Sequence, residues 1–111
     1  MRSLNGINRY NRKGLKTGLW ETYWLDGVVH STGLYKNGLR EGIWEVYHEN
    51  GMLWYKVLYI NSQMNGVCEI YYSTGILHSK GLFKNGKEEG IWEYYHESGK
   101  LKGKKYFSEE V

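Results

Sequence analysis

Gly42-Ile43-Trp44-Glu45-Val46-Tyr47-His48-Glu49-Asn50-Gly51 decides the fold, because the same form recurs at a fixed interval on both sides of it. Gly18, Gly42, Gly66 and Gly90 stand 24 residues apart. Each opens a similar segment: Gly18-Leu19-Trp20-Glu21-Thr22-Tyr23, Gly66-Val67-Cys68-Glu69-Ile70-Tyr71 and Gly90-Ile91-Trp92-Glu93-Tyr94-Tyr95. A second glycine follows nine residues on, at Gly27, Gly51, Gly75 and Gly99, after Asp26, Asn50, Thr74 and Ser98. Asp-Gly and Asn-Gly signal two-residue hairpin turns, whose positive φ glycine accepts without steric cost. Beyond the turn an apolar run ends in an aromatic at Tyr35, Tyr59, Phe83 or Phe107. Each unit therefore reads as strand, tight turn, strand, and Lys36-Asn37-Gly38 or Lys84-Asn85-Gly86 turns the chain into the next unit.

Composition points the same way. The 111 residues include 15 Gly, 11 Tyr and 5 Trp, with no Pro and no Ala. A chain without the best helix former, rich in Tyr, Trp, Val and Ile, suits many short strands joined by turns. A longer period is also present: residues 27–51 laid over 75–99 give 17 identities in 25 positions, the mark of a duplicated two-hairpin block of 48 residues.

Gly-x-Trp-x-x-Tyr-x-x-x-Gly followed by an apolar strand, an aromatic and Asn-Gly resembles the MORN repeat, in its longer bacterial and viral variant, over about residues 13 to 107. The resemblance implies an all-β, elongated single-layer antiparallel β-meander of four stacked 24-residue hairpins. It also implies a role in protein association, with lipid contact proposed for some members and antitoxin-like members in bacteria. Lys13-Gly14-Leu15-Lys16-Thr17-Gly18 carries part of the pattern, so residues 1–17 read as a partial or capping repeat. Four repeats (18–41, 42–65, 66–89, 90–107) and a tail (108–111) complete the expected division. A lone hairpin is marginal in water, so each must bury its aromatics against its neighbours.

Charge excludes several roles. Fifteen basic and 12 acidic residues give a net charge of +3, scattered along the chain, so no field for nucleic acid is implied. The one basic run, Lys100, Lys102, Lys104 and Lys105, reads as a charged final strand guarding a sheet edge. A single Cys68 cannot form an internal disulfide or a CxxC zinc motif. No apolar stretch has signal-peptide or membrane-span length, so the expectation is a soluble intracellular, cytoplasmic protein, a virion component included.

The recurring aromatics Trp20, Trp44, Trp92, Tyr23, Tyr47, Tyr71 and Tyr95, with Tyr35, Tyr59, Phe83 and Phe107, are expected to form the repeat core. Cys68 reads as a small buried replacement for Trp, with Trp54, Tyr55 and Val57 of the preceding strand to fill the space. The non-periodic rings stand out instead. Trp24 and Trp54 sit where other units carry His48, Tyr72 and His96, or His30 and His78, and aromatics outside a core column are the side chains that anchor interfaces. If Tyr35 lies near Ile43, antiparallel counting sets His30 against His48 and, by duplication, His78 against His96, whereas a one-residue slip separates the rings. Two imidazoles are too few for zinc, so exposed ring pairing is expected and no metal or other cofactor is.

Glu21, Glu45, Glu69 and Glu93 form a regular solvent-facing stripe without the differing environments that separate acid from base, and no catalytic residue is expected. The leading expectation is a non-catalytic protein-interaction or assembly module, binding a protein partner or itself through the ribbon ends. An antitoxin-like inhibitor of one partner and a peripheral binder of anionic membrane, through Lys100–Lys105, are the alternatives.

Overall fold

The computed structural model describes residues 6–108, so residues 1–5 of the expected cap and 109–111 of the expected tail lie outside it. Among the described residues nine strands form one antiparallel sheet in chain order: β1 Arg9–Tyr10, β2 Lys16–Tyr23, β3 Val29–Lys36, β4 Leu39–Tyr47, β5 Leu53–Ile60, β6 Gln63–Tyr71, β7 Leu77–Lys84, β8 Lys87–Tyr95 and β9 Leu101–Phe107. The sheet measures 46 × 39 × 15 Å, a single layer that no second sheet or helix covers among the described residues.

Two kinds of turn alternate. Asn37-Gly38 and Asn85-Gly86 have positive φ at both residues, as a two-residue hairpin turn requires, and Asn61-Ser62 does the same without glycine. The Asp26-Gly27 type of turn is longer than the sequence suggested. Gly27 N donates to Trp24 O and Trp24 N to Val28 O, so three residues, Leu25 to Gly27, form the loop and only Gly27 has positive φ. The units are also stitched to each other: Gly38 N donates to Lys16 O and Gly86 N to Met64 O, both at 2.9 Å.

Strand alternation gives the sheet two unlike faces. Trp20, Trp44, Cys68 and Trp92 are buried on one, with Tyr35, Tyr59, Phe83 and Phe107 packed beside them. Their rings meet edge to face in a zipper running Tyr10, Trp20, Tyr35, Trp44, Tyr59 with centroids 5.1–6.3 Å apart, and again Phe83, Trp92, Phe107. Arg40 lies over Trp44 at 4.5 Å and Tyr59 at 5.3 Å, and Lys16 over Trp20 at 4.7 Å. Burial works against the Arg40 charge, but hydrogen bonds to the Tyr35 and Tyr59 hydroxyls and their charges outweigh it, raising its pKa.

The zipper depends on two glycines and stops at one exchange. A Cβ built on Gly33 would sit 2.2 Å from the Trp44 ring, and one on Gly81 2.2 Å from the Trp92 ring. Each glycine is thus the platform on which the next strand's indole lies, with Nε1 donating to Leu34 O or Leu82 O at 3.0 Å. The residue one repeat beyond Gly33 is Val57, and one repeat beyond Trp44 is Cys68; both are 1% exposed. Valine on the platform goes with cysteine above it, and the ring chain breaks there. Tyr55 and Val57 pack at Cys68, as expected, while Trp54 turns elsewhere.

Tyr23, Tyr47, Tyr71 and Tyr95 do not belong to this core. They stand three residues after the Trp column, an odd step that puts them on the opposite face. There each hydroxyl donates to the glutamate two residues before it, from Tyr23–Glu21 at 2.7 Å to Tyr71–Glu69 at 3.2 Å.

The sheet ends differ. At β2 the edge is covered: Ile7 bridges Leu19, and the Asn8 side chain accepts from Glu21 N at 2.8 Å and donates to Glu21 O at 3.1 Å. At β9 the lysine-rich strand pairs only with β8 among the described residues. The basic run is divided between the faces, since Lys105 lies over Phe107 and Lys104 pairs with Glu93 on the other side at 3.7 Å.

Candidate functional site

The register does not bring His30 to His48. Tyr35 pairs with Arg40, not near Ile43. A bulge then sets Gly42–Trp44 against Gly33 alone, after which Thr32 pairs with Glu45 and Ser31 with Val46. Continued, this register would place His30 opposite Tyr47, one residue from the expected partner, and His48 already lies past the end of β4.

A second bulge recurs in every hairpin and places the rings. Thr22 pairs with Ser31 and Tyr23 with Val29, which leaves His30 as the extra residue of β3. Trp54, His78 and Lys102 are the extra residues of β5, β7 and β9 in the same way. Such a residue leaves the regular alternation and can be aimed at a neighbour. His30 Nδ1 lies 3.2 Å from Thr22 Oγ1, which meets the buried Ser31 hydroxyl at 2.6 Å, and His78 Nδ1 lies 2.9 Å from Ser79 Oγ. The bulge residues therefore share the face of the Trp zipper, at its turn margin.

Three of the bulge residues, His30, Trp54 and His78, pack against the first residue of their own turn. Trp24 meets His30 edge to face at 4.5 Å, His48 stacks on Trp54 at 4.9 Å with 16° between planes, and Tyr72 meets His78 at 4.8 Å. His96 is exposed, and its bulge partner is Lys102, so the ring pairs end there. The turn residues are also tied across units: Trp24 Nε1 donates to Tyr47 O at 3.1 Å, His48 Nε2 to Tyr71 O at 2.8 Å and the Tyr72 hydroxyl to Tyr95 O at 2.7 Å. Residues that vary in type along the sequence thus occupy two regular columns. Three rigid ring pairs stand at hairpin intervals along one margin.

Between the first and second pairs lies a shallow hollow of about 430 Å³, lined by Trp24, His48, Glu49, Asn50, Trp54 and Ser73. Trp24 and Trp54, thirty positions apart in the chain, converge here, and Trp54 remains 38% exposed. Asn50 is held by its Nδ2, which donates to Ser73 O at 2.7 Å. Two indoles, an imidazole and a carboxylate offer apolar contact with polar groups at the rim, and hold no nucleophile activated by a base.

Nothing else among the described residues resembles a chemical centre. Among the described residues no group of three or more His, Cys, Asp or Glu could hold a metal ion. Cys68 is buried, and burial, with the Glu69 charge, pushes its thiol up to about 11, the opposite of an activated cysteine.

Against known families, the model of the MORN repeat variant matches residues 16–37, 40–61, 64–85 and 88–109. The chain belongs to the MORN repeat variant family. No curated protein is significantly similar to it. MORN repeats are non-catalytic repeat modules associated with protein or membrane binding. The 24-residue interval between successive matches is the interval at which the bulges and ring pairs recur.

Proposed function

We propose that this MORN protein is a non-catalytic protein-binding module whose partner docks on the turn margin of the Trp face. The observation that carries this reading is the hollow of Trp24, His48 and Trp54. Its rings are ordered by hydrogen bonds and stacking before any partner arrives, so little side-chain freedom is lost on binding. Trp is among the residue types that dominate interface energies. An inhibitor of one partner, antitoxin-like in action, would use the same surface. Membrane binding is less favoured, because the lysines of β9 are split between two faces and Lys104 is already paired.

Affinity capture of the tagged chain from its native source, with the Trp24→Ala/Trp54→Ala variant beside it, tests the reading. A stoichiometric protein captured by the native chain and lost by at least tenfold with the folded variant is the expected result. A partner held equally by both would overturn it.

A further inference from the structure

The face opposite the Trp zipper is unlike the surface of an isolated sheet. Four directly paired apolar couples cross it, Leu19–Leu34, Ile43–Leu58, Val67–Leu82 and Ile91–Tyr106. Seven of these eight side chains are between 37% and 70% exposed. Beside them runs a charged row in which strand partners alternate in sign from β4 onward: Glu45 with Lys56, Lys56 with Glu69, Glu69 with Lys80, Lys80 with Glu93, Glu93 with Lys104. At the other end, Glu21 and Glu45 flank Thr32, so the row begins acidic and ends basic.

The geometry points to a second copy of this chain as the occupant of that face, packed sheet on sheet about a twofold axis that runs parallel to the strands between β5 and β6. That operation lays β2 over the partner's β9, β3 over β8, β4 over β7 and β5 over β6. The apolar row then covers itself. In the charged row Glu21 meets Lys104, Glu45 meets Lys80 and Lys56 meets Glu69, every carboxylate opposite an ammonium except Glu93, which meets Thr32. The match follows from the pattern: an even row of alternating sign, reversed, is its own complement, and here seven of the eight positions carry that alternation, with Thr32 the uncharged one. A different protein would have to reproduce that order.

The area suits a stable pair. Eight strands at ~4.8 Å spacing and about seven residues of length give a face on the order of 34 × 23 Å, near the ~800 Å² per partner of a standard interface. Aligned sheets of this kind pack ~10 Å apart. The Trp24–His48–Trp54 hollow lies on the other face, so the two surfaces can be occupied together, and the inference stands apart from the proposed partner site.

Sedimentation equilibrium of the full chain, from micromolar to sub-millimolar concentration, provides the test. The native chain is expected to be dimeric. Glu45→Lys and Lys80→Glu, both at positions on the strand surface, each oppose like charges twice per dimer and are expected to weaken association by at least ~10-fold. Mixed in equal amounts, the two variants restore opposite charges at both contacts and are expected to form a heterodimer, as the double variant is to form a homodimer. A native chain monomeric throughout would overturn the inference, and so would single variants that dimerise undiminished or a mixture that does not recover. Circular dichroism and thermal melting identify any variant that has lost its fold, and Ile43→Lys then serves as the disrupting substitution in the apolar row.

Discussion

Exchanging Val57 and Cys68 for the residues of the neighbouring units tests the packing rule of this sheet. Val57→Gly alone removes a side chain that is 1% exposed. It forfeits roughly 1.5–3 kcal/mol of burial, and leaves a flexible glycine and a partial void, for a loss of about 3 kcal/mol. Cys68→Trp alone forces an indole onto an occupied platform. At Gly33 and Gly81 even one added Cβ would stand 2.2 Å from the ring, so a whole valine side chain is expected to cost at least ~2 kcal/mol. Made together, the changes recreate the Gly33–Trp44 arrangement and supply the ring missing between Tyr59 and Phe83. The double variant is expected within about 1 kcal/mol of the native chain or above it, a coupling on the order of 4 kcal/mol. Urea unfolding followed by circular dichroism measures all four corners of the cycle. Additive losses would refute the claim that platform and ring are chosen as a pair.

Other outcomes follow from the same contacts. Arg40→Met removes a guanidinium from two rings and from the Tyr59 hydroxyl at 3.2 Å, and is expected to cost about 1–2 kcal/mol in urea unfolding, with Arg40→Lys recovering only part of it. Because the Cys68 pKa is raised from 9.0 to about 11, the native state favours the protonated thiol. The stability this gives is fully present below pH 9 and is lost as the pH rises through 11, on the order of 3 kcal/mol, a loss that Cys68→Val is expected to reduce in parallel urea titrations. The same burial keeps the thiol from iodoacetamide at pH 8 until the chain unfolds, which mass spectrometry of the alkylated protein reads directly; rapid labelling of the native chain would contradict it.

The hairpin array was legible in the sequence because its signals are local. Glycine spacing, turn residues and the aromatic ending each second strand fix strands and connections without knowledge of packing, and the Trp20, Trp44 and Trp92 column took its expected place. Column recurrence alone does not imply burial: Tyr23, Tyr47, Tyr71 and Tyr95 recur as regularly as the Trp column, yet the odd three-residue step from Trp to Tyr puts them on the other face, contrary to the core expected of them. The bulges were the harder loss. An extra residue at His30, Trp54, His78 and Lys102 leaves no mark in residue type, and it alone decides which ring meets which. Trp24 and Trp54 look like exceptions to the repeat by residue type, but their columns are regular in position and vary only in which ring fills them. The Gly33, Val57, Gly81 column against Trp44, Cys68, Trp92 was present in the sequence as a matched exchange, detectable only once the two columns were known to touch.

Site-specific photo-crosslinking from the two faces addresses the central claim, that the ring-paired margin is the partner-binding surface. A benzoylphenylalanine in place of Trp54 reports from the hollow, and one in place of Val67 from the opposite face. Position 54 is expected to capture the heterologous partner, and position 67 only a second copy of the chain. A partner captured from position 67 and not from position 54 would contradict the account.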